Sequence, residues 1–154
     1  MKINRTGYDI FINVTCIVLL FGILIYLGQM WDTLPERIPG HYNAIGVVDR
    51  WGNKGELIIV PIIAWIMYIG LTVIEKYPQI WNTGVKVTEQ NQELVYRLLK
   101  NMLGTVKLII VSVFSFITIN STLSKGMPIW FLPVFLGLIF GSLIYFIIRL
   151  VKIK

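Results

Sequence analysis

Charged residues are scarce in this sequence, and long stretches contain none. Only 14% of the 154 residues are charged and 56% are hydrophobic. The mean hydropathy of +0.73 lies outside the range of a soluble globular domain. The uncharged stretches cover residues 10–31, 57–74, 108–124 and 126–148. Each approaches the roughly 20 residues that a helix needs to cross a hydrocarbon core, so the sequence predicts an all-α membrane protein with four transmembrane helices.

Cysteine and histidine occur once each, as Cys16 and His41. One cysteine excludes an intramolecular disulfide framework and a CxxC metal or redox site. The sequence has no HExxH and no GxSxG motif, and Cys16 lies in a predicted span while His41 lies in a loop. No acidic residue lies in the middle of a span, which argues against a pump or a coupled transporter. We predict no catalytic residue and leave the question of enzyme activity open.

The apolar stretches define the limits of the predicted spans. They are about Ile10 to Met30, about Leu57 to Ile74, about Leu108 to Leu123, and a fourth that opens at Pro128. The first is longer than the apolar region of a signal peptide and no cleavage site follows it, so we expect a retained anchor. Within it, Asn13, Thr15 and Cys16 add weak polarity, which we expect to serve hydrogen bonds between helices and packing.

A polar connection over residues 79–103 carries an amphipathic pattern. Its apolar positions alternate in steps of one and three: Leu94, Val95, Leu98, Leu99, Met102 and Leu103. This spacing predicts a helix with one apolar stripe, capped by Thr88, that lies in the membrane interface or continues into the third span. A helix that binds a partner protein is the alternative. In the fourth span, Gly137 and Gly141 form a small-xxx-small pair, which favours close contact within the bundle or between copies of a homo-oligomer.

The net charge of +6 would suit nucleic acid binding in a soluble protein, but here the basic residues lie beside the spans. Counting Lys and Arg, the N-terminus, the connection 75–107 and the C-terminal tail together carry ten. The opposite side carries four: Arg37, Arg50, Lys54 and Lys125. We therefore predict cytoplasmic termini, an extracellular loop between the first two spans, and no nucleic acid partner.

That loop, residues 34–54, is dense in Gly, Pro, Asn and aromatic residues, which predicts an ordered connection. It reads LP-x-x-IP-x-HYN-x-x-G-x-x-D-x-W-G from Leu34 to Gly52. This pattern resembles the signature of the SdpI-like bacterial membrane proteins, in an N-terminal module that would here cover residues 7–78 of a single domain over 1–154. The resemblance implies a multi-pass protein of the bacterial cell membrane that gives immunity to a secreted peptide toxin. It also implies a cytoplasmic regulator as a further partner.

The chemistry of the loop leaves two interpretations open. His41, Asp49 and Glu56 offer an imidazole and carboxylates, which suit a divalent metal such as zinc. Alternatively, Asn43-x-x-Gly46 forms a turn, and Asp49 pairs with Arg50 or caps the second helix. Trp31, Tyr42 and Trp51 would then place the loop at the membrane interface. We expect the following ligand-binding residues: His41, Tyr42, Asn43, Asp49, Arg50 and Trp51.

Three functions follow from this pattern. The first is resistance to a secreted antimicrobial peptide, which the extracellular loop would recognise. Membrane lipid would be the other partner of the protein. Acidic residues near the loop, Asp32, Glu36, Asp49 and Glu56, would attract a cationic peptide. The second is a metal-dependent membrane hydrolase that uses His41 and Asp49. The third is a component of small-solute transport.

Overall fold

The computed structural model describes residues 3–153 and contains four long helices. They are α1 (Gly7–Met30), α2 (Ile59–Ile74), α3 (Gln92–Thr122) and α4 (Phe131–Val151). Together with the short 3-10 turns at their ends, all four are long and apolar enough to cross a membrane. The prediction of an all-α membrane fold with four spans is confirmed. Lys2 and Lys154, two of the basic residues counted for the orientation, lie outside the described residues.

The third helix is the centre of the bundle. The helices α1, α2 and α4 each pack along α3, while α1 and α2 contact each other much less. The core at these contacts contains Ile12, Cys16, Leu20, Ala64 and Val111, all buried. Since Cys16 is fully buried among these side chains, it acts as a small packing residue, as predicted.

The predicted amphipathic segment and the third span form one continuous helix, Gln92–Thr122, so the second of the two predicted arrangements is confirmed. Thr88 caps the turn that leads into it: its Oγ1 accepts from the Asn91 amide, and Asn91 Oδ1 accepts from the Thr88 amide. Most of the apolar stripe is covered within the chain, although Leu94 is 55% exposed. Val95 and Leu99 are buried and pack with Leu150 at the end of α4, and with side chains from the connection before α3.

A buried ion pair links three helices near the end of the bundle that contains the termini. Lys107, in the middle of α3, has no exposed surface, and its Nζ contacts Glu75 just past the end of α2. The same ammonium donates to Asn13 Oδ1 at 3.1 Å, and Tyr68 donates its hydroxyl proton to that oxygen. The predicted role of Asn13 in hydrogen bonding between helices is therefore confirmed. The buried cation inside α3 was not predicted.

A second charged group lies one turn closer to the termini. Asp9 is buried in the first turn of α1, where it forms a capping box with Thr6. Its carboxylate is 2.9 Å from Arg97 and 3.4 Å from Lys100, both on α3. These contacts, together with the packing of Leu150 on α3, place the N-terminal segment, the connection before α3 and the end of α4 at one end of the bundle.

Candidate functional site

The loop between α1 and α2 folds as a β-hairpin at the opposite end of the bundle. Its strands are β1 (Arg37–Tyr42) and β2 (Val48–Asn53), which pair in antiparallel fashion with irregular register around His41. The sequence predicted an ordered loop but no strands. Pro39 lies on a strand with only one neighbouring strand, which is where proline is tolerated in sheets.

The hairpin turn is ordered by one asparagine. Asn43 Oδ1 accepts hydrogen bonds from the amides of Ile45 at 3.1 Å and Val47 at 2.9 Å. The Gly46 amide donates to the Asn43 carbonyl at 2.9 Å, and Gly46 has a φ of +83°, which favours glycine. The predicted turn from Asn43 to Gly46 is therefore present. Asparagine and glycine favour turns, so its position could be predicted from the residue types alone.

The turn docks on the connection between α3 and α4. The Met127 amide donates to the Gly46 carbonyl at 2.8 Å, and a Cβ added to Gly46 would clash with the Met127 carbonyl oxygen. Next to this contact, the Tyr42 hydroxyl lies 3.1 Å from Ser121 Oγ and accepts from Asn120 Nδ2 at 3.2 Å. Sequence reasoning missed these partners of the hairpin, although three consecutive polar residues at the end of an apolar span were a signal.

Buried aliphatic residues attach the base of the hairpin to the bundle. Leu34 and Ile38 pack with Leu27 of α1 and with Leu57, just before α2. Ile38 and Leu57 are 2% and 1% exposed. These leucine and isoleucine positions of the loop pattern therefore hold the hairpin in place.

His41 and Asp49 are joined by a hydrogen bond across the two strands. His41 Nδ1 lies 2.6 Å from Asp49 Oδ1, and the side chains are 64% and 43% exposed. The prediction that Asp49 pairs with Arg50 or caps the second helix is wrong. The Arg50 side chain instead reaches back across the hairpin, where it contacts Glu56 at 2.9 Å and donates to the Gly40 carbonyl at 2.8 Å. Asn53 and Glu56 form the capping box before α2.

Of the three predicted metal ligands, two come together. His41 and Asp49 are in contact, whereas Glu56 binds Arg50. Within residues 3–153, no three His, Cys, Asp or Glu side chains are grouped so that they could hold a metal ion. A zinc ion would thus need ligands from outside the chain to complete its usual four. Zinc binding stays a prediction.

Several acidic residues near the hairpin already have partners. Glu36 contacts Lys54 at 2.7 Å, Glu56 contacts Arg50 at 2.9 Å, and Asp49 contacts His41. Since three of these carboxylates are engaged within the chain, this surface offers less attraction for a cationic ligand than its sequence suggested.

The tip of the hairpin is apolar and exposed. Ile45 is 69% exposed and Val47 53%, and Ile129 in the neighbouring connection is 81% exposed. Trp51 on β2 and Trp130 before α4 are 46% and 53% exposed. An ordered backbone that presents adjacent apolar side chains is typical of a recognition surface. We call Ile45, Val47 and Ile129 the apolar tip.

A cavity of about 430 Å³ lies beneath the hairpin. Its roof includes His41, Tyr42 and Arg50 of the hairpin. Its floor and walls come from the ends of α2, α3 and α4: Ile59, Val60, Ile117, Ser121, Phe131 and Leu132. The volume falls in the range of sites for small molecules, and the lining is apolar with a few polar groups at one end.

Fold and site together define an integral membrane protein with a β-hairpin docked on one end of a four-helix bundle. Residues 17–65 match the sequence-family model described as Domain of unknown function (DUF1648). This match runs from α1 through the hairpin into α2 and includes all the predicted site residues. The hairpin therefore belongs to a module that recurs in other proteins.

The chain is also similar to an uncharacterized protein of Archaeoglobus fulgidus. The two are 35% identical over 79 residues, which cover 46% of this chain and 42% of the relative. The chain thus spans less than half the length of the curated relative it matches. No solved structure matches the chain.

Proposed function

We propose that this membrane protein binds a secreted membrane-active peptide at its hairpin and thereby protects the cell that makes it. The observation that carries the proposal is the apolar tip. Its side chains are exposed although the backbone beneath them is held by Asn43 and by the contact between Gly46 and Met127. Such a surface loses little conformational entropy on binding, because its backbone is already ordered.

The resemblance to SdpI-like immunity proteins supports the same function, since the residues that carry it form this hairpin. The family match over residues 17–65 covers that segment. We further propose that the hairpin faces outward and both termini face the cytoplasm of a bacterial cell. The basic residues support this orientation, because ten belong to the sequence segments predicted on the side of the termini and four to the segments predicted on the side of the hairpin.

Binding is proposed to rest on apolar contacts more than on charge. The carboxylates of Glu36, Asp49 and Glu56 are already paired. A cationic peptide would have to compete with Lys54, His41 and Arg50 for them. We therefore expect binding to change little between low and high salt, since screening weakens mainly interactions between exposed charges.

Two further partners are proposed, a cytoplasmic regulator and a second copy of the chain. A cytoplasmic regulator cannot use Val95 and Leu99 as its docking surface, because the chain itself buries them. Self-association through Gly137 and Gly141 has open space: a Cβ at either position would meet nothing within 4 Å in the described part of the chain. That face of α4 is free for a second copy.

A matched pair of substitutions tests the proposed function. Ile45 at the apolar tip and Ile80 in the connection before α3 are 69% and 67% exposed, and they lie at opposite ends of the bundle. Ile45→Asp and Ile80→Asp therefore add the same charge at equally exposed positions. The variants are expressed in a sensitive bacterium that is exposed to culture medium of the producing organism, and survival is counted.

We expect the wild type and Ile80→Asp to protect, and Ile45→Asp to lose protection while it still inserts in the membrane. The proposal would be refuted if Ile45→Asp and a variant with residues 38–51 scrambled both protected as well as the wild type, because the hairpin would then be dispensable.

A further inference from the structure

The cavity beneath the hairpin has walls that belong to the lipid-facing surface of the bundle. Both α2 and α4 pack on α3, and in the described part of the chain they make no extensive contact with each other. Ile59 of α2 and Leu132 of α4 line the cavity, yet they are 52% and 36% exposed. In a membrane, such exposed aliphatic side chains on spanning helices face acyl chains. The gap between α2 and α4 is thus the route by which an acyl chain would reach the cavity.

The polarity of the cavity changes from one end to the other. The walls and floor present aliphatic groups, including Val60 and Ile117, whereas the polar lining includes Arg50 together with Glu56, the carboxylate that pairs with it. The guanidinium of Arg50 has five N–H donors, and its contacts with Glu56 and the Gly40 carbonyl engage two of them. A charged group with spare donors thus lies above an apolar space, at the level where spanning helices end and lipid headgroups begin.

We propose that this cavity is a binding site for a phospholipid of the leaflet on the hairpin side. One acyl chain enters between α2 and α4, and the phosphate lies under the hairpin against Arg50. The aliphatic lining suits an acyl chain, and the planar guanidinium suits a phosphate, which it can bind through two parallel hydrogen bonds. Ile45 and Ile129 of the apolar tip also line the cavity. The lipid site is argued from Arg50 and from the walls of α2 and α4, so it does not rest on the proposed recognition of a peptide.

The experiment uses the full-length protein in nanodiscs of phosphatidylglycerol. A small fraction of the lipid carries a photoactivatable diazirine on one acyl chain. After irradiation, mass spectrometry maps the adducts on α3, where Ile117 forms part of the cavity floor. Val60→Trp and Leu132→Trp fill the cavity from its two walls. Ile66→Trp is the matched control, because Ile66 lies on the same helix as Val60, is 62% exposed and does not line the cavity.

We expect adducts at Ile117 in the wild type and in Ile66→Trp, and about tenfold fewer in each cavity-filling variant, because overfilling a packed site opposes ligand entry. Adducts at Ile117 that persist in both filled variants would overturn the proposal, since the label would then arrive by another route. Absence of adducts at Ile117 in the wild type would also overturn it, and would leave a peptide segment or a second copy of the chain as the occupant. The two filling variants come from different helices, so a folding defect in one leaves the other decisive.

Discussion

The ammonium of Lys107 on α3 lies 2.8 Å from Glu75 Oε1, and both side chains lie inside the bundle. Lys107 is fully buried and the Glu75 side chain is 11% exposed. Thr72 Oγ1 at 3.3 Å and Asn13 Oδ1 at 3.1 Å complete the polar contacts of the ammonium. This ion pair joins α1, α2 and α3 at one level, so it stabilises their relative positions toward the end of the bundle that contains the termini.

Replacement of one partner of this pair should destabilise the protein strongly. We expect Lys107→Met to lower the free energy of unfolding by about 3–5 kcal/mol, because the carboxylate of Glu75 stays buried without its cation. The double variant Lys107→Met/Glu75→Gln should recover most of the loss. Unfolding of purified protein in mixed micelles measures both. Lys76→Met, at an exposed position, is the control and should change the free energy by less than about 0.5 kcal/mol. A small effect of Lys107→Met would contradict the structural role.

The hairpin should detach from the bundle when Gly46 is replaced. Gly46→Ala introduces a Cβ at a φ of +83° and against the Met127 carbonyl, so it combines backbone strain with a clash. We expect proteolysis within residues 43–47 to become faster. Gly84→Ala is the control, because Gly84 also has a positive φ, +64°, but has open space around its Cβ position and lies at the other end of the bundle. Protease sensitivity of the hairpin should be unchanged in this control, and unchanged sensitivity in Gly46→Ala as well would mean that docking on Met127 is unimportant.

The orientation of the protein can be measured with single cysteines. In a Cys16→Ala background, Ala44→Cys at the hairpin turn and Gln90→Cys before α3 place exposed thiols at opposite ends of the bundle. Ala44 is preferable to Asn43, because the side chain of Asn43 orders the turn. An impermeant thiol reagent should label only Ala44→Cys on intact cells, and both variants after lysis. Labelling of Gln90→Cys alone on intact cells would reverse the assignment.

The contact of His41 with Asp49 should matter for recognition and little for stability. Because both side chains are largely exposed, the pair contributes less than about 1 kcal/mol. We expect His41→Ala and Asp49→Ala to insert normally and to lose protection against the peptide. Glu36→Ala, which removes an exposed carboxylate from another pair at the base of the hairpin, serves as the control and should retain protection. If His41→Ala and Asp49→Ala both still protected, the pair would not be part of the recognition surface.

The same histidine allows a direct measurement of metal content. If His41 and Asp49 hold zinc with ligands from outside the chain, the purified protein should contain about one zinc per chain and His41→Ala should contain none. Elemental analysis after purification without chelators gives the ratio, and Glu36→Ala provides a control with the same loss of one ionisable group. Equal metal content in wild type and His41→Ala would exclude His41 as a ligand.

The features predicted correctly depend on residues that are close together in the sequence. A span requires about 20 consecutive apolar residues, so the four helices can be recognised from composition alone. The turn from Asn43 to Gly46 depends on the side chain of one residue and the backbone freedom of another three positions away. The order of the hairpin loop was likewise visible in its glycines, prolines and asparagines.

The features that only the tertiary structure decided depend on partners far apart in the sequence. Asp49 had Arg50 as its neighbour but pairs with His41, because antiparallel strands bring the two side chains together across the hairpin. Lys107 was counted as one of the basic residues beside a span, but the continuous α3 carries it into the bundle against Glu75. Tyr42 meets Ser121, 79 positions later. Such contacts follow from how helices and strands pack, and hydrophobic periodicity carries no information about which polar groups then face each other.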